Sequence, residues 1–113
     1  MSILVIRAHK RFAVCRTASI CAGRRKPLDA LLIEVSLEGC RLSNLGNRTY
    51  DIDQLVTIRI DGFEALDAQV RWLKDGFVGL RLVRALHNAE LDRLIRLCRG
   101  ELDAPMEQRA YGT

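Results

Sequence analysis

Two short patterns carry most of the chemistry this sequence offers. Arg7 and Arg11 form an R-x-x-x-R within "RAHKR", with Lys10 beside the second arginine. A guanidinium is a planar, permanently charged fork that fits phosphate oxygens or a guanine edge, whereas an ammonium acts as a point charge. Glu34, Ser36 and Gly39 form an E-x-S-x-x-G in "EVSLEGCRL". Taken singly, the first pattern also reads as a solvated arm, and the second as a tight turn whose glycine supplies an unusual backbone angle. Catalysis has no comparable pattern. His9 and His87 stand in a basic stretch and at a helix start, with no nucleophile or carboxylate at triad spacing, and no glycine-rich strand-to-helix loop is present. The chain is therefore expected not to be an enzyme.

Composition narrows the partners. The chain has 113 residues, enough for a single modest core and too few for two. With 49% hydrophobic and 28% charged residues, disorder is not expected over most of its length. Aromatics are only 5%, so Leu, Ile, Val and Ala must build the core, and single-stranded nucleic acid would find few stacking platforms. A net charge of +4 favours anionic partners without the density of a general nucleic-acid binder. No apolar stretch is long enough for a membrane span, and "SILVI" is too short for a signal peptide, so a cytoplasmic protein is expected. Cys15, Cys21, Cys40 and Cys98 show no CxxC pair and no histidines at ligand spacing. No metal or cofactor is expected, and the cysteines read as small buried apolar residues of a reducing compartment.

Strands separated by turn signals must position the two patterns. "VCRTASICA" alternates apolar and polar residues and stops at a turn marked by Gly23 and Pro27. "LDALLIEV", "CRLS", "QLVTIRI", "ALDAQVRWLK" and "FVGLRLV" follow, with "NLGNRTYDID" read as a polar loop. Hairpin-length connections argue for antiparallel pairing, and the strand count for a small closed β-barrel. The period then changes: Leu91, Leu94, Ile95 and Cys98 recur at helical spacing, with Asn88 as N-cap and Gly100 as the stop. Residues 1–100 are thus one all-β domain closed by a C-terminal helix, and 101–113 a flexible tail. Lys10, Arg16, Arg24, Arg25 and Lys26 read as solvated surface cations.

In this order the patterns resemble the PilZ domain, the bacterial receptor module for cyclic di-GMP, whose signature is R-x-x-x-R followed by D/N-x-S-x-x-G. Arg7, Arg11, Ser36 and Gly39 match it, and "QVRWLKDGFVGLRL" is similar to the family's late hairpin. The resemblance covers about residues 7 to 100. It implies a six-stranded antiparallel barrel with a C-terminal helix. It also implies a cyclic di-GMP site made of Arg7, Arg11, Glu34, Ser36 and Gly39, with Lys10, Arg71 and Trp72 as secondary candidates. In such a site arginines on the arm contact phosphate and guanine, the acidic residue accepts guanine N–H donors, and the glycine permits close approach. Trp72 reads more readily as a core residue than as a stacking platform.

Two positions depart from the family. Glu34 replaces the usual Asp or Asn, moving the charge out by one methylene, and Ile6 stands where many members have another arginine. One ligand molecule per chain, weakly held, is the expectation. The function implied is an adaptor that binds cyclic di-GMP and signals to a separate protein effector, as a monomer or weak homodimer, with no specific nucleic acid. The alternative is a degenerate PilZ-like interaction module that does not bind the nucleotide.

Overall fold

Alternating apolar residues become strands here because each can place one face inward. The computed structural model describes residues 10–100; Arg7, Ile6 and the expected tail lie outside the described residues. The strands are β1 (Phe12–Cys21), β2 (Leu28–Val35), β3 (Gly39–Ser43), β4 (Leu55–Arg59), β5 (Leu66–Lys74) and β6 (Phe77–Leu82), followed by α1 (Asn88–Cys98). They close into an antiparallel barrel in the order β1-β2-β3-β6-β5-β4. Four of the six pairings are the expected hairpins. The other two, β3 with β6 and β1 with β4, join strands distant in sequence and remove the sheet edges altogether.

The inward row is small and branched: Ala18 and Ile20 from β1, Leu32 from β2, Leu42 from β3, Ile58 from β4, Val70 from β5 and Val78 from β6 are all buried. This is the aliphatic core that scarce aromatics demanded. The long connection after β3 is less polar inside than its composition suggested. Leu45 and Tyr50 from it are buried in the core. Its end is pinned to β5 by reciprocal backbone bonds, Asp53 N–H to the Val70 carbonyl at 2.7 Å and Val70 N–H to the Gln54 carbonyl at 3.0 Å.

Helix α1 buries Leu91, Leu94, Leu97 and Cys98 against the barrel. Its N-cap is His87, one residue before the expected Asn88, and the Glu90 carboxylate accepts from the His87 N–H at 2.8 Å. Such a bond satisfies an otherwise unpaired backbone donor of the first turn, and sequence alone does not separate adjacent cap candidates. The expected stop holds: Gly100 takes a positive φ of 79°, and its N–H donates to the Leu97 carbonyl.

Arg16 is not a solvated cation. It pairs with buried Leu32 on the inward side of β1, and its guanidinium donates to the Leu97 carbonyl at 3.1 Å and to the Asp61 carbonyl at 3.2 Å. The last carbonyls of a helix have no intrahelical donors, so a fixed cation there satisfies both hydrogen bonding and the helix dipole. Arg25 also departs from the solvated reading, donating to the Thr49 carbonyl at 2.9 Å with its guanidinium 5.0 Å from the Tyr50 ring centroid. Cys15 departs from the buried reading: it is exposed, Cys21 and Cys40 are half-buried, and only Cys98 is buried.

Arg16→Ala should therefore destabilise the domain by about 1–2 kcal/mol through loss of charge-assisted bonds to the helix end. Arg24→Ala, in the exposed turn after β1, should change stability by less than about 0.5 kcal/mol. Urea melts of both variants provide the comparison, and equal losses would refute the clamp.

Candidate functional site

The turn between β2 and β3 is held by its own serine. Ser36 N–H donates to the Gly39 carbonyl at 2.9 Å, and Ser36 Oγ accepts from the Gly39 N–H at 3.1 Å and the Glu38 N–H at 3.4 Å. These bonds bring Val35 opposite Cys40 and Glu34 opposite Arg41. Gly39 is required here for a reason other than an unusual backbone angle. A Cβ at this position would lie 2.6 Å from the Leu80 carbonyl oxygen of β6, so glycine permits the close approach of two strands.

A single rung then runs across five strands: Ala13 opposite Glu34, Glu34 opposite Arg41, Arg41 opposite Gly79, and Gly79 opposite Trp72. Its last step depends on an irregularity. Between Val70 and Trp72 the register of β5 against β6 shifts, leaving Arg71 as the extra residue. Such a bulge reverses the in–out alternation. Val70 points into the core, and both Arg71 and Trp72 are exposed. The indole lies on Gly79, where any Cβ would collide with Trp72 Nε1. Trp72 is thus a surface residue, 41% exposed, in place of the core residue its type suggested.

Above this rung lies a cleft of about 210 Å³, lined by Arg11, Glu34, Ser36, Gly39, Arg71 and Trp72 together with Val35, Cys40, Arg41, Gly79 and Leu80. Every named candidate among the described residues reaches it except Lys10. The Lys10 ammonium sits 5.9 Å from the Phe12 ring centroid instead, away from the cleft lining. Arg71 reaches the cleft with its guanidinium already paired to the Asp53 carboxylate at 3.0 Å. The residues sequence reasoning missed are Arg41, Cys40 and Gly79. Arg41 had a usable signal, because a turn closed at Ser36 and Gly39 dictates the Glu34–Arg41 pair by counting outward.

The charge arrangement centres on Glu34. One carboxylate oxygen lies 3.4 Å from Arg11 Nη1 and the other 3.7 Å from Arg41 Nη2. All three side chains keep solvent contact, at 49%, 23% and 38% exposure for Arg11, Glu34 and Arg41, so these pairs contribute little to stability. Cys40 offers no nucleophile: burial pushes its thiol up to about 12, leaving it protonated at neutral pH. The Ser36 hydroxyl is engaged by the turn. The cleft is equipped to hold an anion with a planar, hydrogen-bonding group beside an indole face.

The two glycines should respond differently to alanine. Gly39→Ala pushes a methyl group against a backbone carbonyl and should cost about 1–3 kcal/mol. Gly79→Ala meets a side chain that can swing away, so it should cost less while red-shifting the emission of Trp72, the sole tryptophan. Denaturant melts and emission spectra of both variants check this; an unshifted Trp72 spectrum in Gly79→Ala would contradict the indole placement.

No family model matches the chain. No curated protein matches it in sequence. Among solved structures it is similar to the Bacillus subtilis inhibitor of motility (MotI/DgrA), with a TM-score of 0.63 at 12% identity. The match covers 97% of this chain and 54% of that one, so the chain spans about half the length of its structural neighbour. The likeness is one of fold: a six-stranded barrel with a C-terminal helix.

Proposed function

We propose that this domain is a receptor for cyclic di-GMP that acts as an adaptor, passing the signal to a separate protein. The observation that carries the reading is convergence: Arg11 and the Glu34-to-Gly39 turn, separate in sequence, face one cleft that Trp72 also walls. Cyclic di-GMP combines two phosphodiester charges with two guanines. Arg11 supplies a fork for phosphate or guanine O6 and N7, and Glu34 supplies acceptors for guanine N–H groups. Arg7, four residues earlier in the motif, is assigned the same role as Arg11. Trp72 offers an exposed aromatic face for stacking.

The chemistry favours binding over catalysis, since Cys40 is held protonated and Ser36 is committed to its turn. The neighbour is named an inhibitor of motility, which suits a regulatory reading. We assign the domain to the cytoplasm, where its ligand would be made. Among the described residues no helix is long and apolar enough to cross a membrane. A second reading is favoured by Glu34 itself. Because it already pairs with Arg11 and Arg41, the domain could keep a PilZ-like interaction surface without the nucleotide.

Calorimetric titration with cyclic di-GMP separates the two. The receptor reading expects saturable heat with one ligand per chain and weaker binding of linear pGpG. Duplex DNA should bind only in a strongly salt-dependent manner. Arg11→Ala should cost about 2 kcal/mol or more of binding, through loss of a charge-assisted contact. Arg24→Ala should change binding by less than about 0.5 kcal/mol, and equal losses at both arginines would mean that general charge governs affinity. Silence at high ligand concentration would favour the interaction module.

A further inference from the structure

We propose that Arg41 is a further anion-binding arginine of the cleft and that Glu34 is the resident counter-anion an incoming ligand displaces from it. The ligand named here rests on the cyclic di-GMP reading; the residues rest on the cleft alone.

Arg41 is poorly satisfied for a residue in its position. Its Nε is buried and donates to no acceptor among the described residues, and its Nη2 has only the 3.7 Å approach of Glu34. A guanidinium carries five donors, and charge-assisted bonds to oxyanions normally close to about 2.7–2.9 Å. Both contacts of Glu34 are longer than that, at 3.4 Å and 3.7 Å, because a single carboxylate is shared between Arg11, just before β1, and Arg41 on β3. Arg41 lies on β3 opposite Gly79, which has no side chain to crowd it and is roofed by the Trp72 indole. The guanidinium therefore sits on the cleft floor between the turn and the aromatic wall.

A phosphodiester offers two equivalent oxygens at the spacing of the guanidinium fork, which a shared carboxylate does not. An anion entering the cleft would free Glu34 from Arg11 and Arg41 while replacing two long contacts by short ones. Glutamate suits this role because its reach lets one carboxylate span both arginines. Its presence lowers the free charge of the rung and sets how strongly an anion must compete.

Trp72 reports on this cleft directly, being the sole tryptophan. The test is a fluorescence titration of native protein, Arg41→Ala, Arg41→Lys and Glu34→Gln, each with a thermal melt. Each is titrated with cyclic di-GMP and, separately, with inorganic pyrophosphate, which carries charge without guanine. Arg41→Ala should weaken both ligands by about tenfold or more, the scale of a lost charge-assisted contact. Arg41→Lys should restore little, because an ammonium lacks the fork. Glu34→Gln should tighten pyrophosphate by about threefold or more as its competitor is neutralised.

Binding of both ligands to folded Arg41→Ala within twofold of native would overturn the assignment, as would unchanged or weaker pyrophosphate binding by Glu34→Gln. If native protein binds pyrophosphate through Arg41 but ignores cyclic di-GMP, the arginine assignment stands and the receptor reading falls. If cyclic di-GMP binds native and Arg41→Ala alike, the reverse holds. If neither ligand titrates, both fall.

Discussion

The structure depends on a seam between β3 and β6 that side chains would keep apart. Gly39 lets the Leu80 carbonyl come within 2.6 Å of where a Cβ would stand, and Gly79 lets the Trp72 indole lie on the sheet. Because β3 and β6 pair across the chain, this seam is one of the two long-range pairings that close the barrel, the other being β1 with β4. The cleft lies on the same seam. Closure and site are therefore one requirement: the glycines that allow the strands to meet also leave the space that Arg41 and Trp72 border.

Polarity is arranged around that space with little effect on the core. Glu34, Arg41 and Trp72 stand on a rung of the sheet close to Leu42, Val70 and Val78, which are fully buried. A ligand site built on strands inherits the stiffness of the barrel, while its charges remain solvated enough to exchange partners. At the opposite extreme of commitment stands Arg16, whose guanidinium ties the end of α1 to the barrel. Two arginines in a common sequence neighbourhood thus perform unlike tasks: Arg11, just before β1, lines the cleft, and Arg16, within β1, reaches the end of α1.

Much of this was legible in residue order. Strand β2 falls on "LDALLIEV" between the turn signals that flank it, and Gly100 marked the helix end. The convergence of Arg11 with Ser36 and Gly39 followed from the resemblance. Features that hinge on a register shift were not legible. A single extra residue at Arg71 turns Trp72 from the core to the surface, and no periodicity marks where a bulge will fall. Arg16 was misread although parity placed it with Val14 and Ala18 on the inward row, because a cation there makes sense only once the helix is seated over it. The paired state of Glu34 required side-chain positions, since register brings Arg41 opposite but says nothing of Arg11.

The central claim is that one outer face, from Arg11 across the glycine seam to Trp72, is where this domain meets its ligand. Backbone amide chemical shifts of the native chain, followed by NMR as cyclic di-GMP is added, test it most directly. The expected result is a contiguous set of perturbed amides at Arg11, from Glu34 to Arg41, at Arg71 and Trp72, and at Gly79 and Leu80. Perturbations confined instead to the groove formed by Glu64, Asp67 and Arg84, or to the outer face of α1 around Asp92 and Arg96, would contradict it.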